Sequence, residues 1–203
     1  MTSLEQTFGP IDIYLFDQLL RGRITKEVPI LDAGCGGGRN LIYLLREGYD
    51  VYGVDNNPVA IDAVRELVAS IAPQLPARHF RVAPVESMPF DDATAGVVLS
   101  SAVLHFAASD THFDAMLREM WRVLRPGGLF FCRLATSIGM EDQVAPLGDG
   151  RFHLPDGSDR YLADEEMLMR YTAELGAELL DPLKTTIVQN QRAMTTWVLR
   201  KLA

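Results

Sequence analysis

The sequence predicts an α/β fold built on a doubly wound, mostly parallel sheet. Over residues 28–134, short apolar runs alternate with longer segments whose apolar residues recur at helical spacing. A glycine-rich loop over residues 34–38 joins the first apolar run to the first helical segment. In residues 179–200, apolar and polar residues instead alternate, as in two strands joined by a turn. Together these patterns predict a single domain over residues 1–203, in which right-handed crossovers connect the parallel strands.

The elements before the tail follow from periodicity and from breaking residues. A leading helix is predicted over residues 8–20, and because it precedes the first strand it must pack across a sheet edge or cover a ligand site; both roles stay open. Asn57 and Pro58 form an N-cap and first-turn pair, and Asn57 either only caps or also contacts a ligand. The predicted strands cover residues 28–31, 50–54, 80–82, 95–99 and 129–134, and the later helices cover residues 41–48, 58–73, 110–124 and 164–175.

The tail holds a long irregular stretch and a predicted hairpin. Residues 136–160 are rich in Gly, Asp and Pro and are too long for an ordinary connection, so we expect them either to cover a site or to be mobile. The runs 179–189 and 194–200 flank a turn at residues 190–191 and predict an antiparallel hairpin that closes the sheet. Residues 1–27, with the leading helix, and the loop 136–161 are therefore the two candidate lid segments.

Composition limits the class of protein and its partners. The 203 residues are 48% hydrophobic and carry a formal net charge of −8, which suits a globular domain and disfavours a nucleic-acid partner. The start has no targeting pattern, and no apolar run approaches the ~18 residues of a membrane span, so we expect a cytoplasmic protein without a membrane partner. Cys35 and Cys132 lack disulfide or metal-binding spacing, so no metal is predicted. The histidines outside the motifs, His112 among them, are expected on the surface or in loops.

The glycine-rich loop is the strongest sign of a ligand site. Its spacing, Gly34-x-Gly36-x-Gly38, lets the backbone turn with positive φ and approach a ligand beside a helix start. The dinucleotide fingerprint would need a glycine where this chain has Arg39, which argues against a nucleotide-dependent oxidoreductase. Asp55 ends the second strand about 20 residues beyond the first glycine, where such folds bind a ribose, and is the ribose candidate.

Five motifs make the sequence similar to the class I methyltransferases that depend on S-adenosylmethionine (SAM). They lie at residues 32–38, 54–55, 88–90, 100–105 and 122–128, and the similarity covers most of the chain from residue 28 onward. The family implies a Rossmann-like seven-stranded sheet in the order 3-2-1-4-5-7-6 with an antiparallel last strand. Residues 34–40 and 55–57, with Ile61, most resemble the branch that includes the tellurite-resistance methyltransferases, although we do not transfer that branch's substrate.

The resemblance implies a role for each motif. The glycine loop would lie under the methionine part of the cofactor with Arg39 near its carboxylate, and Asp55 would hold both ribose hydroxyls. Pro84 stands where the family usually has an acid at the adenine, so the amide of Val85 or the side chain of Glu86 is expected to make that contact. The implied cofactor-binding residues are Asp32, Gly34, Cys35, Gly36, Arg39, Asp55, Asn56, Asn57, Val85, Glu86 and Ser101.

The implied activity is transfer of a methyl group from SAM to a small-molecule acceptor, which leaves S-adenosylhomocysteine (SAH). His105 is expected near the sulfonium end, where its imidazole either acts as a general base or only bonds backbone and shapes the pocket. The alternative function is a SAM-binding protein without turnover, either a sensor or a partner subunit. After the fourth strand the chain lacks an Asn/Asp-Pro-Pro-aromatic motif, so methylation of amino groups on bases or on glutamine is not supported.

The acceptor side is expected beneath the two candidate lid segments. Tyr14, Arg133, Arg160 and Tyr161 suit a small polar or anionic acceptor, because a planar guanidinium can hold a carboxylate by two bonds. These arginines could equally pair with the many surface acids of the chain. A monomer or a homodimer is expected.

Overall fold

The structure, a computed structural model that describes residues 3–202, is built on one large mixed sheet. The strands in chain order are β1 (Ile30–Ala33), β2 (Val51–Asp55), β3 (Phe80–Val82), β4 (Ala95–Ser101), β5 (Leu124–Thr136), β6 (Ala145–Gly148), β7 (Arg151–His153), β8 (Asp159–Tyr161), β9 (Ala177–Leu179), β10 (Lys184–Val188) and β11 (Arg192–Lys201). The α-helices are α1 (Leu4–Phe8), α2 (Ile13–Leu20), α3 (Ile42–Arg46), α4 (Pro58–Ile71), α5 (Asp110–Val123) and α6 (Glu165–Glu174).

Seven strands of the large sheet follow one another in the order β3-β2-β1-β4-β5-β11-β10, and β9 pairs with the end of β11. The strands β1 to β5 all run parallel to one another. In contrast, β11 runs antiparallel between β5 and β10. With β10 and β11 as the sixth and seventh strands, the predicted order 3-2-1-4-5-7-6 with an antiparallel last strand is confirmed.

The first strand of the predicted tail hairpin is shorter than the sequence suggested. Residues 179–189 do not form one strand: β9 pairs Leu179 with Leu199, whereas β10 pairs Lys184 with Thr196. Both lie along the same edge of β11 and are separated by residues 180–183. Pro182 lies in this gap and has no N–H to donate to a continuous ladder, so the strand is interrupted there.

The leading segment forms two short helices rather than the single helix predicted over residues 8–20. Helix α1 ends at Gly9 and Pro10 follows, so the first helix cannot continue. Asp12 then caps α2, because its carboxylate accepts the backbone N–H of Tyr14 at 2.9 Å. Leu15 on α2 is fully buried in the apolar cluster on one face of the sheet. The leading segment therefore packs on the sheet, and packing was one of the two roles expected for it.

The stretch 136–161, predicted as a long loop, is ordered into a small antiparallel sheet of β6, β7 and β8. These strands have only three or four residues each, so an alternating pattern could not stand out in the sequence. Thr136 forms a bridge to Ala163, which holds the small sheet beside the end of β5. Leu154 and Leu162 pack with Ala135 in a separate apolar cluster beneath it.

Two apolar clusters fill the two faces of the large sheet. Along β5, Phe130 belongs to the cluster that contains side chains of α5, whereas Phe131 belongs to the cluster of α2, α3 and α4. Because neighbouring side chains of a strand point to opposite faces, helices cover both faces. The carboxyl ends of the parallel strands are then the edge where connecting loops meet. Among residues 3–202 no helix is both long and apolar enough to cross a membrane.

Candidate functional site

A cavity of about 450 Å³ opens at the carboxyl ends of β1, β2 and β4. Its size lies within the roughly 300–1,000 Å³ typical of small-molecule sites. The predicted cofactor contacts that line it are Gly34, Asp55, Asn56, Asn57, Val85 and Glu86. The rest of its wall comes from residues that were not among the predicted contacts, namely Ala102, Val103, Phe106, His112 and Met116. We call this the main cavity.

The glycine loop has the backbone conformation that its spacing predicts. Gly34, Gly36 and Gly38 have φ angles of 82°, 51° and 81°. A Cβ on Gly34 would lie 2.5 Å from Cγ2 of Val103, so a side chain there would clash with the cavity wall. In the described part of the chain, no atom lies within 4 Å of a Cβ built on Gly36, so its backbone is open to a ligand. Cys35 packs into the apolar cluster below the loop, and its backbone N–H donates to the carbonyl of Val54 at 2.9 Å.

Asp55 is fixed by the loop at the end of β2. Its Oδ2 accepts the N–H of Gly36 and its Oδ1 accepts the N–H of Asn57, both at 2.9 Å. A carboxylate oxygen can accept two bonds, so each oxygen keeps a lone pair for a ligand in the main cavity. Two such acceptors side by side suit the two neighbouring hydroxyls of a ribose. The side chain of Asn57 accepts the N–H of Val59 at 3.0 Å, which is the capping role that the sequence predicts.

His112 is the polar wall residue that the sequence analysis missed. It lies in the first turn of α5, and its Nδ1 accepts the N–H of Ala108 at 3.0 Å. The ring hydrogen is therefore on Nε2, which lies 3.4 Å from Oε2 of Glu86. The expectation of a surface or loop histidine is wrong. Met116 lies four residues further along α5, on the same helix face, and lines the same cavity. This helical spacing was the sequence signal that could have revealed His112.

Asp32, at the end of β1, is a buried carboxylate beside the glycine loop. It is only 2% exposed, and burial raises the pKa of its carboxyl to about 7, although the nearby Arg39 guanidinium acts in the opposite direction. Arg39 donates from Nη2 to Oγ of Ser101 at 3.2 Å. These three predicted cofactor residues do not line the main cavity but form a polar cluster at the neighbouring ends of β1 and β4. A positive ligand group near this cluster would stabilise the ionised form of Asp32.

The leading segment is tied to this edge of the sheet by Asp12. Its Oδ2 accepts from Nη1 of Arg133 at 3.2 Å and from the hydroxyl of Ser101 at 3.5 Å. Its backbone N–H donates to Oδ1 of Asn40, just after the glycine loop, at 3.0 Å. The Arg133 guanidinium also lies 5.5 Å from the ring centre of Tyr14. The structure thus brings the predicted acceptor residues Tyr14 and Arg133 together, with Asp12 already bound to the guanidinium.

The other two predicted acceptor residues lie on β8 and are separated by the strand. Tyr161 is buried, stacks on Phe113 with ring centres 4.8 Å apart, and donates to Oδ1 of Asp110 at 2.8 Å. The structure therefore buries Tyr161 in the apolar core and does not bring it to the predicted acceptor side. Because successive strand residues point to opposite faces, Arg160 turns the other way and lines a second cavity of about 350 Å³.

His105 lines this second cavity and not the main one. Its Nδ1 accepts the N–H of Ala135 at 3.1 Å. Burial, together with the guanidinium charges of Arg160 and Arg192, lowers the pKa of its imidazole to about 4. The ring is neutral near pH 7, its accepting nitrogen is occupied, and its other nitrogen carries a hydrogen. The structure favours the backbone-bonding role of His105 over the general-base role.

The main cavity offers groups that bind and orient a ligand rather than a reactive centre. Its apolar side, with Val103 and Met116, can exclude water from a flat or sulfur-bearing group, and Gly34 of the glycine loop lies beside Val103 on the same wall. Within residues 3–202 no cluster of His, Cys, Asp or Glu side chains is arranged to hold a metal ion. The arrangement suits a nucleoside joined to a group that carries positive charge, with Asp55 at the sugar and Asp32 near the charge.

Comparison with known proteins agrees with this geometry. The family described as Methyltransferase domain matches residues 31–132. An uncharacterised methyltransferase, YodH, of Bacillus subtilis is 36% identical over 105 residues, which are 52% of this chain and 42% of that protein. A malonyl-[acyl-carrier protein] O-methyltransferase of Pseudescherichia vulneris is 28% identical over 169 residues, which are 81% of this chain and 62% of that protein.

A solved structure extends the comparison to almost the whole fold. A SAM-dependent methyltransferase of Methanosarcina mazei superposes with a TM-score of 0.74 at 20% identity, covering 91% of this chain and 97% of its own. At this identity the likeness concerns the fold. The chain spans about half the length of the curated relatives it matches, 42% of one and 62% of the other, so their named activities are not transferred with the match.

Proposed function

Because the chain belongs to the methyltransferase domain family, which matches its residues 31–132, we propose that it transfers the methyl group of SAM to a small-molecule acceptor and releases SAH. SAM is the cofactor. When bound, it supplies an electrophilic methyl group on a sulfonium, so the protein has to bind, align and desolvate two reactants. We also propose that the nearest branch of the family is the one that includes the tellurite-resistance methyltransferases, and we propose no substrate from this resemblance.

The observation that carries the proposal is the pairing of the open glycine loop with Asp55 on the wall of the main cavity. Asp55 would hold the ribose hydroxyls with the lone pairs that Gly36 and Asn57 leave free. The backbone of residues 34–36 would lie under the methionine part. Asp32 supports the same placement, because a buried carboxylate with a raised pKa is stabilised by the ammonium that a methionine group carries.

The adenine would lie at the other end of the main cavity. The backbone amide of Val85 and the carboxylate of Glu86 are the polar groups there, and Met116 supplies an apolar surface. Oε2 of Glu86 lies 3.4 Å from Nε2 of His112 but accepts no hydrogen bond from it, so this side of the carboxylate already faces the imidazole. We therefore assign the main adenine contact to the Val85 amide and a secondary one to Glu86. Asn56 lies beside this end of the cavity.

The acceptor side is proposed at the carboxyl ends of β4 and β5, between the leading segment and the small sheet. Tyr14 and Arg133 lie there, and Arg160 lines the neighbouring cavity. His105 has no free lone pair to take a proton, so the proposal contains no general base at this position. The acceptor atom then has to be one that reacts without early loss of a proton, or one that loses it to water.

Substitution of Asp55 tests the cofactor site. Asp55→Ala removes two charge-assisted hydrogen bonds, at roughly 1.5–3 kcal/mol each, so SAH affinity measured by calorimetry should fall at least tenfold. The matched control is Asp62→Ala, an exposed acid of α4 paired with Arg65, which should bind SAH like the wild type. Unchanged affinity in Asp55→Ala, with the control also unchanged, would remove Asp55 from the site.

Turnover is tested separately from binding. The wild type is incubated with SAM and a panel of small acceptors, and SAH is quantified against a reaction without acceptor. Acceptor-dependent SAH supports the proposed enzyme. Tight SAH binding with no acceptor-dependent SAH over a broad panel would support the alternative of a SAM-binding protein without turnover, which the family match does not favour.

A further inference from the structure

The second cavity adjoins the main one. It forms between residues 105–108, which follow β4, and the strands β7 and β8 of the small sheet. Phe106 lines both cavities, so its side chain lies on the border between them. A molecule in the second cavity would therefore lie beside the proposed cofactor site. We call this space the side cleft.

Two arginines in the side cleft lack a carboxylate partner. Arg151 and Arg160 both line it, and within residues 3–202 neither forms a salt bridge. The Arg160 guanidinium lies 4.9 Å from the ring centre of Phe106, and its Nη1 donates to the carbonyl of Asp159 at 2.7 Å. Stacking on the ring fixes the guanidinium plane where the cavities meet and leaves other N–H groups for a ligand.

His105 adds a third donor to the same wall. Because its Nδ1 accepts the N–H of Ala135, its hydrogen is on Nε2, and Nε2 has no partner among the described residues. The ring lines both the side cleft and a smaller recess behind it that Arg192 also lines. A neutral imidazole held in this tautomer can give a hydrogen bond but cannot accept one.

The acids at the side cleft already have partners. Asp159 lies on its wall, with Oδ1 2.7 Å from Nδ1 of His153. Asp156, in the recess, lies 2.7 Å from Nη2 of Arg192 and accepts two bonds from Ser158. Among residues 3–202, Arg151 and Arg160 are donors without a carboxylate partner and the Nε2–H of His105 is a donor without any partner, and two of the three carry positive charge, in a chain whose formal net charge is −8.

We infer that the side cleft binds an oxyanion of the methyl acceptor, a carboxylate or a phosphate, through Arg160, Arg151 and the Nε2–H of His105. The inference rests on the proposed function, because it names the chemistry of the acceptor for that same site. Two guanidinium groups and one N–H outweigh the single paired carboxylate of Asp159 on this wall and favour an anion over a neutral group, and Phe106, between the two cavities, directs the rest of the acceptor toward the main cavity. The acceptor is then a small acid or a phosphate-bearing molecule.

Small probes test the side cleft directly. The full chain, labelled with ¹⁵N, is titrated with phenylacetate, phenyl phosphate and the neutral isostere phenylacetamide, with and without saturating SAH, while the arginine Nε–H signals are followed by NMR. We expect the two anions to bind in the millimolar range and to shift the Arg160 signal. The amide should bind at least tenfold more weakly, because it lacks the charge-assisted pair. The tighter of the two anions identifies the carboxylate or the phosphate as the group recognised.

Matched variants separate the side cleft from the cofactor site. Arg160→Gln should weaken binding of the anionic probes about tenfold and leave SAH affinity unchanged. Arg200→Gln is the control with the same charge change, because Arg200 pairs with Glu178 at the opposite end of β5 from the cleft. Equal binding of phenylacetate and phenylacetamide, or equal anion binding by wild type and Arg160→Gln, would overturn the inference. Failure of SAH to bind would contradict the proposed function instead, and the titrations without SAH would still test the cleft.

Discussion

At the scale of single residues, Asp32 combines burial with charge in a way that makes folding depend on pH. Its folded pKa of about 7 lies above the ordinary value of 3.8, because burial penalises the carboxylate. A group of this kind contributes stability that is fully present below the unfolded pKa and is lost as pH rises through the folded pKa. The free energy of unfolding of the ligand-free protein should therefore lose a contribution from Asp32 between about pH 4 and pH 7.

Asp32→Asn should remove this dependence. Relative to the wild type, we expect the variant to gain roughly 2–3 kcal/mol in unfolding free energy between pH 5 and pH 8. Urea unfolding of both proteins at the two pH values measures the difference, with the exposed Asp62→Asn as control. A difference that does not change with pH would show that Asp32 is already ionised in the folded protein at pH 5.

The comparison with a variant is needed because His105 acts in the opposite direction. Its folded pKa of about 4 lies below the ordinary 6.5, so its contribution is present above the unfolded pKa and is lost as pH falls through the folded pKa. The pH range over which the contribution of Asp32 changes and the range over which that of His105 changes overlap between about pH 4 and pH 6.5. The wild-type profile alone would thus hide both contributions, whereas the difference between Asp32→Asn and wild type isolates one of them.

Glu86 should matter less for cofactor binding than Asp55. Its carboxylate faces the His112 ring, with Oε2 3.4 Å from Nε2, whereas Asp55 would give two oxygens to the ribose. We expect Glu86→Ala to weaken SAH binding less than tenfold by calorimetry, and less than Asp55→Ala does. His112→Gln is the matched variant and should change SAH affinity no more than Glu86→Ala. The reverse ranking of the two acids would mean that the Glu86 side chain carries the adenine contact.

The sequence revealed some residues of the main cavity and missed others. The difference depends on how each residue reaches the cavity wall. Gly34 and Asp55 end neighbouring strands, so the rule that parallel strands share one carboxyl edge places them together. Phe106 reaches the wall only through the path of the chain between β4 and α5, and no local pattern marks it. The burial of Tyr161 was hidden for a similar reason, since the face it turns to depends on the pairing of short strands.

At the scale of elements, the leading segment is held by a buried charge pair rather than by apolar contacts alone. The carboxylate of Asp12 is 1% exposed and caps α2 while it accepts from Arg133. Removing one member of such a pair leaves the other without its partner, so Asp12→Asn should lower the free energy of unfolding by about 3 kcal/mol. Chemical unfolding measures this loss.

The control for Asp12 is on the same helix. Asp17→Asn breaks the 2.9 Å pair with Arg21, which is exposed, so it should cost under about 1 kcal/mol. None of the residues that line the main cavity comes from the leading segment, so Asp12→Asn should keep SAH affinity within a few-fold. Equal stabilities of the two variants would show that the leading segment is not held through Asp12.

Elements with strong local signals were predicted and those set by distant pairing were not. Helix α5 begins at Asp110 as its apolar stripe requires, and Asn57 caps α4 as expected. The small sheet 145–161 was missed because its short strands are defined by pairing with each other. The break between β9 and β10 was missed although Pro182, within residues 180–183, was an available signal, because only the pairing with β11 shows which residues leave the ladder.

At the scale of the whole molecule, helices on both faces leave one edge of the sheet for ligands. The glycine loop, Asp55 and the side cleft all lie at the carboxyl ends of the parallel strands, although they come from distant parts of the sequence. The parallel sheet and its terminal hairpin were predictable from strand–helix alternation, and the strand order was implied by the family resemblance. The side cleft was not predictable, because the small sheet builds it.

Ligand binding at this edge should stabilise the whole domain, and the identity of the ligand tests how the glycine loop is interpreted. SAH at 100 times its Kd should add about 2.7 kcal/mol and so raise the Tm by about 5–10 °C for a domain of this size. NAD at the same concentration should leave the Tm unchanged, because Arg39 stands where the dinucleotide fingerprint needs a glycine. Thermal unfolding followed by circular dichroism measures both, and Asp55→Ala should lose most of the SAH shift. An equal rise with NAD would mean that the loop binds the nucleoside but does not select SAH over a dinucleotide.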